Sequence, residues 1–173
     1  MYNNNNGANQ NGRSSQYSGG NNGYNSASAP SRAMTLPENY VDEAEKIIYQ
    51  YMRDFDNKQD KPISNSKIRR MYSLITDIYN NENLSENENL SSESQTMLNM
   101  ARIRIAYEVG RDLSNLKKPS PDPTKYPIKK FVTDTHIIEY IKGIGTSREQ
   151  FINFARYMEA LIAYHRFYGG KEN

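Results

Sequence analysis

The chain contains no cysteine and no tryptophan, and only two of its 173 residues are histidine. Without cysteine there is no disulfide, no thiol nucleophile and no thiolate metal ligand, which suits a reducing cytoplasm. His136 and His165 stand too far apart to form a metal-ligand spacing. No apolar run approaches the length of a bilayer span, and the N-terminus lacks the charged-then-apolar pattern of a signal peptide. The expectation is a soluble, cytoplasmic protein that meets no membrane. Charge of either sign is nearly cancelled, 22 Lys and Arg against 20 Asp and Glu for a net +2. Total charge therefore announces no nucleic-acid binder, and any such case rests on where the charges lie.

Catalytic constellations are missing too. There is no phosphate-binding glycine loop: Gly143-Ile144-Gly145 lacks the following glycine and a preceding strand, and reads as a helix terminus. His165 falls on an apolar helical face, where a histidine reads as a packed, hydrogen-bonded core residue. Glu82, Glu86 and Glu88 lie in an Asn/Glu-rich stretch from Asn80 to Asn89, read as a flexible linker that offers them no preorganised partner. No catalytic residue, metal ligand or cofactor is expected, and the chain does not read as an enzyme.

What the sequence does have is helical periodicity. From Ser147 to Tyr168 it runs without proline or glycine, and Phe151, Phe154, Met158, Leu161 and His165 recur at steps of three and four. Further apolar residues extend this surface most of the way round, so the helix belongs in the middle of a core. Thr146-x-x-Glu149 or Ser147-x-x-Gln150 would cap its start, and Gly169-Gly170 would end it. Before it, Val41, Ala44, Ile48, Tyr51 and Phe55 mark a first helix. Ile68, Met71, Ile75 and Ile78 mark a second, capped by Ser64, Asn65 or Ser66. Ser92-x-x-Gln95 opens a third, with Leu98, Ala101, Ile105, Val109 and Leu113 inward. It ends before the proline-dense Pro119–Pro127 segment. Pro127 begins a fourth, with Ile128, Phe131, Ile138 and Ile141 on one side.

Residues 1–38 are Asn, Gly, Ser, Gln and Tyr with hardly an aliphatic side chain. They cannot bury enough apolar area to offset chain entropy. The expected architecture is all-α: a compact bundle of about five helices over residues 39–173, with a disordered low-complexity arm over 1–38.

Placed on these helices, the charges segregate. Lys67 and Arg70 share a face of the second helix with Arg69 beside them. On the third, Arg104 and Arg111 are seven residues apart, a step that Lys118 continues, and Arg102 flanks the apolar side. Glu82 to Glu93 contains four carboxylates and no Lys or Arg. Charged stripes are ordinarily solvated faces, and Glu108 is placed to pair with Arg104 and Arg111. If the stripes bind nucleic acid, cations on rigid helices match phosphates and read no sequence.

Four motifs, in order, resemble a known family: Asn39-Tyr-Val-Asp-Glu-Ala-Glu-Lys46, Ser66-Lys-Ile-Arg69, Arg102-Ile-Arg-Ile-Ala-Tyr-Glu-Val-Gly-Arg111, and Arg156-Tyr-Met-Glu-Ala-Leu-Ile-Ala-Tyr-His-Arg-Phe-Tyr-Gly-Gly-Lys171. Together they are similar to the small subunit of type III-A CRISPR effector complexes, the Csm family, over roughly residues 39–171. The resemblance implies a non-catalytic, α-helical subunit of an antiviral ribonucleoprotein. Copies of itself would form an inner filament beside the repeating backbone subunits and the large polymerase-like subunit. They would touch the sugar-phosphate backbone of target RNA, and meet the guide RNA only indirectly, since guide pairing selects the sequence. By that resemblance Lys67, Arg69, Arg102 and Arg111 are the leading phosphate contacts. Arg70 and Arg104 join them on spacing. Tyr107 and Gly110 read as packing residues. The competing reading is a helical structural adaptor making only protein–protein contacts.

Overall fold

The computed structural model describes Met1 and residues 30–172. Most of the low-complexity arm, residues 2–29, lies outside the described residues. The rest is all-α, with no β-strand among the described residues and six helices in this order: α1 Tyr40–Arg53, α2 Asn65–Glu82, α3 Ser92–Ser114, α4 Pro127–Asp134, α5 Ile137–Ile144 and α6 Arg148–Phe167. A single 3-10 turn, Pro123–Lys125, precedes α4.

α6 is the centre of the bundle, lying against α1, α2 and α5. Phe151, Phe154, Met158, Leu161 and His165 all have 0% exposure, as their spacing requires of a helix surrounded by others. Each apolar member contributes roughly 1.5–3 kcal/mol relative to an exposed side chain. The Ser147 hydroxyl caps the helix, accepting from Gln150 N. Gly169, at φ 94°, turns the chain away at its end. Ala44, Ile48 and Tyr51 of α1 and Ile68, Met71, Ile75 and Ile78 of α2 close on α6 from two sides. Tyr51 carries a polar crossing point through this core. Its hydroxyl donates to Pro127 O at 3.0 Å and accepts from Ile63 N at 2.8 Å, and burial pushes it far above the usual phenol range.

The expected fourth helix is two. Thr135 and His136 break it, His136 adopting left-handed backbone at φ 52°. The Thr135 hydroxyl donates to Phe131 O at 2.7 Å, and its carbonyl accepts from the Tyr157 hydroxyl of α6 at 2.9 Å. Phe131 and Ile137, on the separate helices either side of the break, both reach zero exposure. Two residues read as inward are exposed instead: Val41, in the first turn of α1 at the margin of the bundle, and Leu113. Beside Leu113 the inward position of α3 is held by Asp112, whose buried carboxylate accepts from Ile128 N at 2.9 Å and Lys129 N at 3.1 Å. It caps α4, which has no side-chain cap of its own.

The stretch after α2 is not the partnerless linker expected. Glu82 closes α2 and is buried; its carboxylate accepts from Ser91 N and the Ser91 hydroxyl at 3.1 and 2.9 Å. Burial alone would raise its pKa, but these bonds, one from Ser94 and the Arg148 charge hold it below the usual carboxylate range. Arg148 Nε donates to Glu82 O at 2.7 Å, and the backbones of Glu88 and Leu90 pair with Arg148 and Thr146. A carboxylate that orients Ser91, the cap of α3, has a structural task. The proline-dense segment is likewise tied down, by Lys58–Asp122 at 3.2 Å and Lys125–Asp60 at 2.7 Å. Lys130 bridges Asp54 and Asp134, both at 2.7 Å.

Residues 30–38 form no helix and run along α5. Met34 N donates to Glu139 O at 3.0 Å, and Lys142 Nζ donates to Ser31 O at 2.6 Å. Gly143 lies directly under this strap: a Cβ there would collide with the Met34 carbonyl.

Candidate functional site

α2 and α3 pack side by side and leave a groove of about 290 Å³ between them. Its floor is apolar: Ile63, Met71, Ile105 and Ile128 are each no more than 4% exposed, and Leu74 is half-buried. The cations form its walls. Lys67 and Arg70, one turn apart at the start of α2, face Arg104 and Arg111, two turns apart on α3. The lining thus holds four cations against two carboxylates. Neither carboxylate is idle: Asp112 caps α4, and Glu108 pairs with Arg111 at 3.2 Å. Lys67, Arg70 and Arg104 have no ion-pair partner among the described residues, and all are exposed. The Glu108–Arg111 bridge is itself a surface i,i+3 pair, of a kind that contributes at most about 1 kcal/mol and that a stronger anion displaces.

Of the six cations singled out in the sequence, the groove brings together Lys67, Arg70, Arg104 and Arg111. Arg69 points the other way and meets Glu172 of the C-terminal tail at 3.1 Å. Arg102 is half-buried on the flank of α3 and does not line the groove. Periodicity separates these two sets, because residues 67, 70 and 74 share one face of α2 and residue 69 falls nearly opposite. What periodicity does not provide is the floor, since Ile63 and Ile128 come from loop and helix start far away in sequence. Tyr107, read as packing, is 66% exposed at the groove's rim. Gly110 faces outward too, with nothing within 4 Å of the position its Cβ would take. Neither is buried by the described residues.

Among the described residues no group of three or more His, Cys, Asp or Glu is placed to hold a metal ion. None of the described helices is long and apolar enough to cross a membrane. His165 is buried, its Nδ1 2.8 Å from Asn65 Oδ1. Asn65 Nδ2 in turn donates to Gly170 O at 2.8 Å, so the imidazole fastens the C-terminal tail to the start of α2.

Fold and groove together define a class: a small all-α protein whose helices converge on a cationic cleft. The sequence profile of the family described as Csm2 Type III-A matches residues 39–171, nearly the whole described bundle. The chain belongs to that family, the small subunit of type III-A Csm complexes. The CRISPR system Cms protein Csm2 of Streptococcus thermophilus is 31% identical over 140 residues, covering 81% of this chain and 99% of that protein. Proteins of the same name from Mycobacterium tuberculosis (strain CDC 1551 / Oshkosh) and Enterococcus italicus are 27% and 24% identical, covering 79% and 72% of this chain and 97% and 86% of their own.

Proposed function

We propose that this protein is a non-catalytic, RNA-binding subunit, acting in the cytoplasm, whose groove between α2 and α3 holds the sugar-phosphate backbone of target RNA. Copies would repeat along an inner filament beside the backbone and large subunits. The observation that carries this reading is the convergence of Lys67, Arg70, Arg104 and Arg111 on one cleft, three of them without an ion-pair partner among the described residues. Like charges gathered from two helices repel in the free protein, and an anion between them relieves that repulsion. Arg69, on the far side of α2 against Glu172, and Arg102, on the flank of α3, lie outside the cleft and would meet RNA only beyond its edges. Phosphate contacts position a strand without reading it, leaving sequence selection to guide pairing. Affinity per copy is modest and gains from repetition along the filament.

The test is Arg70→Glu with Arg104→Glu in the assembled complex. Target RNA retention should fall at physiological salt, and log K should lose roughly 0.7–0.9 of its slope against log salt for each phosphate contact removed. Thermal unfolding should stay near wild type, because both side chains are exposed. Unchanged retention sinks the reading.

A second reading, the structural adaptor, draws on the outward side of α3. Met100, Ile103, Tyr107 and Leu113 are all exposed there, beside Gly110. A glycine inside a helix costs roughly 1 kcal/mol, and no contact among the described residues requires it. A double variant that fails to assemble, rather than assembling and losing RNA, would favour the adaptor.

A further inference from the structure

A row of cations is all that phosphate binding needs, yet these cations stand around an apolar recess. Phosphates are hydrated and gain nothing from Met71, Leu74 or Ile105, and a continuous base-paired helix offers the recess only more backbone. What matches both parts is a nucleotide whose base has left its stack: an anionic backbone for the walls and a flat apolar face for the floor. Tyr107, exposed at the rim, adds a ring on which such a base can stack.

We propose that the groove between α2 and α3 is a binding site for one unstacked nucleobase together with the phosphates on either side of it. Lys67 and Arg70 take the phosphate on the α2 side and Arg104 and Arg111 the one on the α3 side. Leu74 and Met71 face the base. The occupant is argued from charge and shape together: a net-cationic lining around a mainly apolar floor, whose buried carboxylate, Asp112, is already engaged by the Ile128 and Lys129 amides, in a space of about 290 Å³, close to the lower end of small-molecule sites. This rests on the phosphate-binding reading above and adds to it a preference for unpaired over fully paired strands.

The experiment uses the full chain at low salt and three probes: a short mixed-sequence RNA, the same RNA annealed to its complement, and the same backbone made abasic throughout. Fluorescence anisotropy should place the intact single strand about tenfold or more tighter than the abasic strand, which carries the same phosphates. Tyr107→Ala should narrow that gap, and Tyr107→Phe should keep it. Equal binding of intact and abasic strands, with both weakened by Arg70→Glu and Arg104→Glu, overturns base binding and leaves phosphate binding standing. Indifference of every probe to the charge reversals overturns phosphate binding itself, and failure of the intact strand to bind overturns this proposal. In the assembled complex, a photocrosslinking benzoylphenylalanine in place of Tyr107 should label RNA. Labelling of a protein chain instead assigns the groove to a protein partner and ends the proposal.

Discussion

Acidifying the protein should cost it stability through His165, starting below pH 6.5, where the unfolded chain takes up a proton that the folded core refuses. This imidazole has 0% exposure, lies beside the rings of Tyr51 and Phe131, and uses Nδ1 to reach Asn65. Because Asn65 Nδ2 is engaged with Gly170 O, Asn65 Oδ1 is the acceptor and His165 Nδ1 carries the proton. Nε2 has no hydrogen-bond partner among the described residues, so a second proton would place an unsolvated charge in the core. Burial lowers the pKa from 6.5 to about 4, and the Ile63 backbone offsets only part of that. The unfolded chain therefore takes up the proton first. Stability is full above pH 6.5, declines as the pH falls from there toward 4, and levels off below. The gap corresponds to roughly 3 kcal/mol, of which about 2 kcal/mol is lost by about pH 5. Urea unfolding at neutral pH and at about pH 5 measures it. In His165→Phe this pH dependence should disappear, on top of a loss of about 1–3 kcal/mol for leaving Asn65 without its donor. Other titrating groups are common to both proteins and cancel in the difference. Equal pH slopes in wild type and variant would refute the assignment.

Three further outcomes follow from the packing. Gly143→Ala should detach the 30–38 strap, because the new Cβ occupies the place of the Met34 carbonyl. Hydrogen exchange at the Met34 amide should quicken by roughly tenfold or more, while global stability moves little, alanine being the better helix former by about 1 kcal/mol. Asp112→Ala should cost about 2 kcal/mol in chemical denaturation, since two amides at the start of α4 lose their acceptor. Glu82→Gln should destabilise by about 1–2 kcal/mol at neutral pH. Since the Glu82 carboxyl is held below its usual range, that contribution is present above the unfolded pKa and is lost as the pH falls through the folded one. The wild type and variant should therefore converge in acid.

Most of the helical framework was legible because burial on a helix leaves a period. The stripe from Phe151 to His165 placed α6 at the centre, and Ile68 to Ile78 placed the inner face of α2. The break at Thr135–His136 was illegible because apolar residues continue at helical spacing across it; the hydroxyl of Tyr157, from another helix, decides it. Glu82 and Asp112 were illegible as buried residues because a carboxylate enters a core only when donors meet it there, and those donors come from other segments. For the site, spacing paired Lys67 with Arg70 and Arg104 with Arg111. It could not say that the two pairs face each other across one cleft, or that Arg69 turns toward Glu172.

The sequence by itself determined the helices and which side of each is charged, because hydrophobic period and capping are properties of neighbours along the chain. Only the tertiary structure decided that two charged sides meet over an apolar floor. That meeting depends on the angle and register at which α2 and α3 pack, and on Ile63 and Ile128 arriving from elsewhere. Those are set by how side chains interlock, which no single helix records.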